Sequence, residues 1–147
     1  MPRRSIRERN ILFLCMDNSC ASQIAEGIAK CLAPPGTKIF SAGLFPCEIH
    51  PYASRVMQEV GIDISSHRSK GLDAIPMKEI HLVVALGEVK ERCPVFPLKI
   101  RLEHWSVPDP VRVTGGEIAI RAVFRSFRDE IDKKVAALFL DHWRNVA

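Results

Sequence analysis

Ile11-Leu12-Phe13-Leu14-Cys15-Met16-Asp17-Asn18-Ser19-Cys20-Ala21-Ser22-Gln23 decides the fold. An apolar run enters a cysteine, small and polar residues follow, and a helical pattern begins. That order predicts a buried strand, a tight loop and a helix start. A cysteine at such a junction lies beneath the N–H groups that open the helix. Those groups and the helix dipole favour negative charge, so Cys15 is expected to lean toward thiolate. The same N–H groups can hold a tetrahedral oxyanion.

Outward from this stretch, strands and helices alternate. The first strand is expected over residues 10–14 and a helix over Ser22–Leu32, with Ile24, Ile28 and Leu32 on one face. Pro34-Pro35-Gly36 ends that helix. Lys38–Ser41 is β-prone, and Ala42-Gly43 turns the chain. Pro51 opens a second helix whose face is Ala53, Val56, Met57 and Val60, and Gly61 stops it. Leu72–Met77 reads as a short helix or turn. His81–Leu86 is apolar after His81 and is expected to be a central parallel strand. Leu98–Leu102 is expected to be the last strand, with a loop from Glu103 to Pro110. A long helix should run from Gly116 to about His142. The alternation predicts an α/β domain, a parallel sheet covered on both faces, spanning residues 1–147 with residues 1–9 as a flexible basic arm.

With 147 residues, 47% hydrophobic and 26% charged, the chain has the composition of one soluble globular domain. A net charge of +4 suits an anionic substrate. No basic run is interleaved with aromatics, which argues against nucleic acid. No apolar run approaches the ~20 residues of a membrane span. The cysteines are Cys15, Cys20, Cys31, Cys47 and Cys93. Their odd number and the lack of a C-x-x-C pair argue against a disulfide scaffold and a zinc site. A reducing cytoplasm with one or two active thiols is expected. Cys31, Cys47, His104, Trp105, His142 and Trp143 are read as packing or surface groups.

The string Cys15-Met-Asp-Asn18-Ser19-Cys20-Ala21-Ser22-Gln23-Ile-Ala25-Glu26-Gly27 resembles the nucleophile loop of the low-molecular-weight tyrosine phosphatases. It is more similar still to the arsenate reductases that share their fold. Ser41-Ala42-Gly43, Ile62–Ser69 and Glu103-His104-Trp105 … Asp109-Pro110 carry the resemblance along nearly the whole chain. It implies a three-layer, flavodoxin-like fold of the phosphotyrosine phosphatase I type, with four parallel strands and the first of them central. The family loop is a cysteine, five residues, an arginine, then serine or threonine. Here Ala21 stands in the arginine's place.

The resemblance also implies roles. Cys15 would be the nucleophile and Asp109 the general acid that protonates the leaving oxygen. Met16, Asp17, Asn18, Ser19, Cys20, Ala21 and Ser22 would form the oxyanion loop, with Asn18 fixing it and Ser22 donating to the Cys15 sulfur. Cys20 and Cys93 are candidate resolving thiols. The three-thiol relay of thioredoxin-coupled arsenate reductases lacks its middle member, because Gly87 occupies that place. Asn18, Glu26, Ser41 and Asp63 match positions that hold a potassium ion in some arsenate reductases, although no metal is required for the chemistry.

Three functions follow as expectations. The first is an arsenate reductase-like enzyme of arsenical resistance, turning arsenate to arsenite with thioredoxin or a small thiol as reductant. The second is a phosphatase that hydrolyses phosphate monoesters of a phosphorylated substrate through a phosphocysteine. The third is a non-catalytic relative that binds phosphate or another oxyanion. Ala21 bears on all three. The family arginine grips equatorial oxygens with a fork that alanine cannot replace. Loss of one oxyanion donor typically costs about 10²–10³ in rate, so turnover should be weak or lost. Arg55, Arg68 and Arg112 are the candidates to reach in.

Overall fold

The computed structural model describes residues 10–146, and the side chains of residues 10–89 and 92–140. The expected basic arm, residues 1–9, and the side chains of His142 and Trp143 lie outside the described residues. Four strands, β1 (Ile11–Cys15), β2 (Ile39–Gly43), β3 (Leu82–Leu86) and β4 (Arg101–Trp105), form one parallel sheet in the order β2-β1-β3-β4. The first strand is internal, as the resemblance implied. Its five residues are all buried, which suits a parallel strand sandwiched between two layers.

Alternation along β1 splits the core in two. Phe13 and Cys15 face a cluster with Ile24 and Ile28 of helix α1 (Ala21–Leu32), Val56 and Met57 of α2 (Pro51–Glu59), and Phe124 and Ile131 of α3 (Glu117–Val146). Leu12 and Leu14 face a second cluster with Ile75, Ile80, Val83, Ala85, Val89 and Ile100. That face is covered by loops and 3₁₀ turns, at Leu72–Ala74, Met77–Glu79 and Gly87–Arg92. All three α-helices therefore lie on the face to which Cys15 belongs.

Bounds and buried faces differ from the sequence expectation in several places: β1 runs on to Cys15, and Ala42-Gly43 continues β2 instead of turning the chain. The last strand is Arg101–Trp105, so Glu103, His104 and Trp105 pair with β3 instead of forming a loop. Trp105 pairs with Leu86 and packs on Phe13 at 6.0 Å between ring centroids. Leu98, an expected strand residue, is fully exposed. On α1, Ile24 and Ile28 are buried but Leu32 is 45% exposed in the last turn. Val60 is the exposed C-cap of α2 and does not share its buried face.

The ends of β1 and β2 are joined at close quarters. Cys15 lies opposite Gly43 in the register. A Cβ built on Gly43 would stand 2.6 Å from the Asp17 carbonyl carbon and from the Asn18 nitrogen. Only glycine lets the loop after β1 rest on the end of β2, a physical reason for Ser41-Ala42-Gly43.

Candidate active site

Residues 15–21 bend from the end of β1 into the start of α1, and neighbouring backbone holds the bend. The carbonyls of Cys15, Met16, Asp17 and Ser19 accept from the N–H groups of Leu44, Phe45, Cys47 and His50 at 2.7–3.2 Å. With those carbonyls drawn outward, the Asn18 N–H points to the Cys15 sulfur at 3.2 Å. Asn18 adopts a left-handed φ of 54°, a conformation that asparagine tolerates better than most residues.

A buried polar chain supports the sulfur. Asn18 Oδ1 accepts from the Lys70 N–H at 2.9 Å and from Gln23 Nε2 at 2.9 Å. This orients the amide, so Asn18 Nδ2 donates to Ser22 Oγ at 2.7 Å and to Ser41 Oγ at 3.0 Å. Ser22 thus has its own proton free for Cys15 Sγ, 2.8 Å away. The arrangement leaves the Ser22 hydroxyl free for the donor role that the resemblance implies.

Cys15 and the loop floor a cavity of about 220 Å³. Met16, Asp17, Ser19, Cys20 and Ala21 form one wall. Leu86, Gly87 and Glu88 form the second, and Val107 to Arg112 the third. Asp109 is therefore brought to the same cavity as Cys15 and Cys20. It caps the turn Pro110–Arg112, with Oδ1 accepting from the Val111 N–H at 3.0 Å.

Cys93 is not brought there. It packs with Phe96 against the cluster on the opposite face of the sheet. Gly87, in the place of the relay's middle thiol, has a φ of 71°. A cysteine there would be strained. Cys47, which showed no functional context in sequence, is exposed and sits beside the loop, its N–H on the Asp17 carbonyl and its thiol within reach of Asp17 and Ser19. Its signal was tertiary: residues 44–50 bind the loop's carbonyls.

The cavity's charge is unusual for an anion site. Asp17, Glu88 and Asp109 line it with Arg112. Asp17 Oδ1 takes both the N–H and the hydroxyl of Ser19, at 3.1 and 2.7 Å. A carboxylate thus occupies two donors of the loop. Burial pushes the Cys15 thiol above its ordinary pKa, and Asp17 adds to this. The hydroxyl of Ser22 and the N–H groups of Ser22 and Asn18 oppose it. The expected thiolate is therefore disfavoured, because desolvation outweighs the loop's donors where no arginine compensates. Burial drives Cys20 well upward too.

The residues proposed for potassium do not fit that ion. Glu26 is held below its ordinary pKa although burial raises it, because Lys30 and Ser41 hydrogen-bond to it and Lys70 stands nearby. Lys30 Nζ is 2.7 Å and Lys70 Nζ 3.8 Å from its carboxylate, and Lys70 Nζ donates to Ser41 Oγ at 3.3 Å. Asn18 Oδ1 already accepts two bonds. Asp63 is exposed and caps the Ser65 N–H at 2.8 Å, with no part in this cluster. Ammonium groups do here what a cation would do. Among the described residues, no group of three or more His, Cys, Asp or Glu is gathered for a metal ion.

The architecture is thus a parallel α/β sheet whose first strand delivers a cysteine into a loop at the start of a helix. A family model described as low molecular weight phosphotyrosine protein phosphatase matches residues 10–146, and the chain belongs to that family. It is 41% identical over 126 residues to an arsenate reductase of Bacillus subtilis, covering 85% of this chain and 91% of that one. A solved arsenate reductase in a phosphate-binding state superposes with a TM-score of 0.75 at 30% identity, covering 90% and 98% of the two chains. The thioredoxin-dependent arsenate reductase of Corynebacterium glutamicum superposes with a TM-score of 0.67 at 26% identity, over 94% of this chain and 61% of that one. Members of the family are arsenate reductases and phosphatases, which are enzymes. None of its described helices is long and apolar enough to cross a membrane.

Proposed function

We propose that the chain is an arsenate reductase-like thiol enzyme whose turnover is weak because Ala21 replaces the loop arginine. The observation that carries this is the placement of Cys15 Sγ under the Ser22 hydroxyl and the Asn18 N–H, at the floor of the cavity that Asp109 lines. The Cys15 thiolate attacks arsenic(V). A sulfur–arsenic bond forms, and one arsenic–oxygen bond breaks as Asp109 gives its proton to the departing oxygen, which leaves as water. A second thiolate then attacks the Cys15 sulfur. A disulfide forms, and the sulfur–arsenic electron pair passes to arsenic, released as arsenite.

Cys20 shares the cavity and is the internal candidate for the second thiol. Cys93, on the far face of the sheet, would need the segment after β3 to rearrange. The external alternative is thioredoxin or a small thiol, and the similarity to a thioredoxin-dependent reductase supports the former. These steps require no metal. A reducing cytoplasm suits these free thiols, and arsenate or phosphate is the ligand class.

Two further readings use the same site. A phosphatase would hydrolyse a phosphocysteine at Cys15, with Asp109 again the acid. A non-catalytic oxyanion binder is favoured by Ala21 and by the raised thiol. One steady-state comparison separates the three: arsenate with thioredoxin or a small thiol, against an aryl phosphate, with Cys15→Ser as control. Thiol oxidation driven by arsenate supports the reductase. Aryl phosphate turnover alone supports the phosphatase, and neither activity leaves the binder.

A further inference from the structure

We infer that Arg112 supplies, from the acid loop, the guanidinium that the nucleophile loop lacks at Ala21, and that Glu88 competes with the oxyanion for it. This rests on the reading of residues 15–22 as an oxyanion cradle. Among the described residues lining the cavity, Arg112 carries the positive charge, against the carboxylates of Asp17, Glu88 and Asp109. An anion entering a site of that balance meets net repulsion unless the guanidinium turns to it.

Arg112 is placed to do so. It closes the turn that Asp109 caps, so acid and guanidinium ride on one short element. Its Nη2 lies 2.8 Å from one Glu88 oxygen and 2.9 Å from the other, and its Nε lies 3.6 Å from Asp109 Oδ2. Both carboxylates belong to the cavity wall, so the fork already stands at its mouth. The side chain is 68% exposed, and no packing holds it in one rotamer. An exposed ion pair contributes little to stability, so exchange of Glu88 for a doubly charged oxyanion costs little. The two other arginines considered stand elsewhere. Arg55 pairs with Glu117 at 3.4 Å and lies over the Tyr52 ring. Arg68 is exposed on the segment beyond α2 and does not line this cavity.

The test is protection of Cys15 from iodoacetamide by phosphate or arsenate, at low salt, in wild type, Arg112→Gln, Arg112→Lys and Glu88→Gln, and each with Ala21→Arg. Arg112→Gln should weaken protection about tenfold, the scale of one charge-assisted hydrogen bond. Arg112→Lys should restore part of it, since lysine keeps the charge without the fork. Glu88→Gln should strengthen it severalfold. With Ala21→Arg present, Arg112→Gln should lose less than about twofold, because the cradle then has its own guanidinium. Unchanged protection in Arg112→Gln overturns the inference. So does an equal loss with and without Ala21→Arg, or a wild type that no anion protects. A wild type that binds anions through Arg112 yet neither oxidises thiols with arsenate nor cleaves aryl phosphates would sink the enzyme reading and leave this one standing.

Discussion

The Cys15 sulfur lies 2.8 Å from the Ser22 hydroxyl, and Asn18, by donating to that oxygen, leaves its proton free to turn to the sulfur. Burial nevertheless keeps the thiol above its ordinary pKa. A raised pKa leaves the group protonated at neutral pH, and thiolate accumulates only as the pH climbs past the ordinary thiol range. The rate of Cys15 alkylation should therefore keep rising through that range. Ser22→Ala should move its midpoint further up. A plateau already reached near pH 7 in wild type would contradict the predominance of burial.

Asp17→Asn should act in the opposite sense. The amide oxygen can still accept from Ser19, so the turn survives, while the negative charge beside Cys15 and Cys20 is removed. Phosphate should protect Cys15 more strongly, by roughly three- to tenfold, and the alkylation midpoint should fall. Unchanged protection would mean that the Asp17 carboxylate does not oppose an incoming anion.

Gly43→Ala should disturb the cradle without touching it chemically. Its Cβ would meet backbone at 2.6 Å, which cannot rotate away as a side chain can. A loss of about 1–3 kcal/mol in the unfolding free energy from denaturant titration is expected, with weaker anion protection of Cys15. Gly116→Ala, whose Cβ would have nothing within 4 Å, is the control. Equal behaviour of the two variants would show that the loop does not depend on this approach.

Much of this was legible in the sequence because it is local. The strand–loop–helix order at 11–23 and the parallel alternation follow from motif and period. What was not legible is tertiary. The limits of β4 are set by pairing with β3, as at Trp105 opposite Leu86, and not by the apolar spacing of Leu98, Ile100 and Leu102. Cys93 lies one sheet face away from Cys15, and no spacing along the chain reveals a face. The state of Cys15 depends on how deeply the loop is buried, which a helix-start argument ignores. Asp63 matched a pattern by position, yet its carboxylate is taken by its own turn.

Mild peroxide should join Cys15 to Cys20 before any bond to Cys93 forms. The first two thiols share a cavity and a short loop, and the third is across the sheet. Both are raised in pKa, so oxidation should be slow at pH 7 and faster at pH 9, since the thiolate is the reacting form. Peptide mapping reads the pairing. A dominant Cys15–Cys93 bond would show that the segment after β3 crosses to the loop, and would make Cys93 the resolving thiol.

Ala21→Arg tests the central claim most directly, that this is a family active site lacking one part. The arginine would strengthen its hold as charge moves to the equatorial oxygens, and would bring Cys15 toward thiolate. Steady-state rates should be measured on arsenate with thioredoxin or a small thiol, and on an aryl phosphate, beside Ala21→Arg with Cys15→Ser. The predicted result is a gain of about 10²-fold or more, larger in kcat than the accompanying drop in KM, and abolished by Cys15→Ser. A folded Ala21→Arg protein that stays inert on both substrates would contradict it, and would make the chain an oxyanion-binding module.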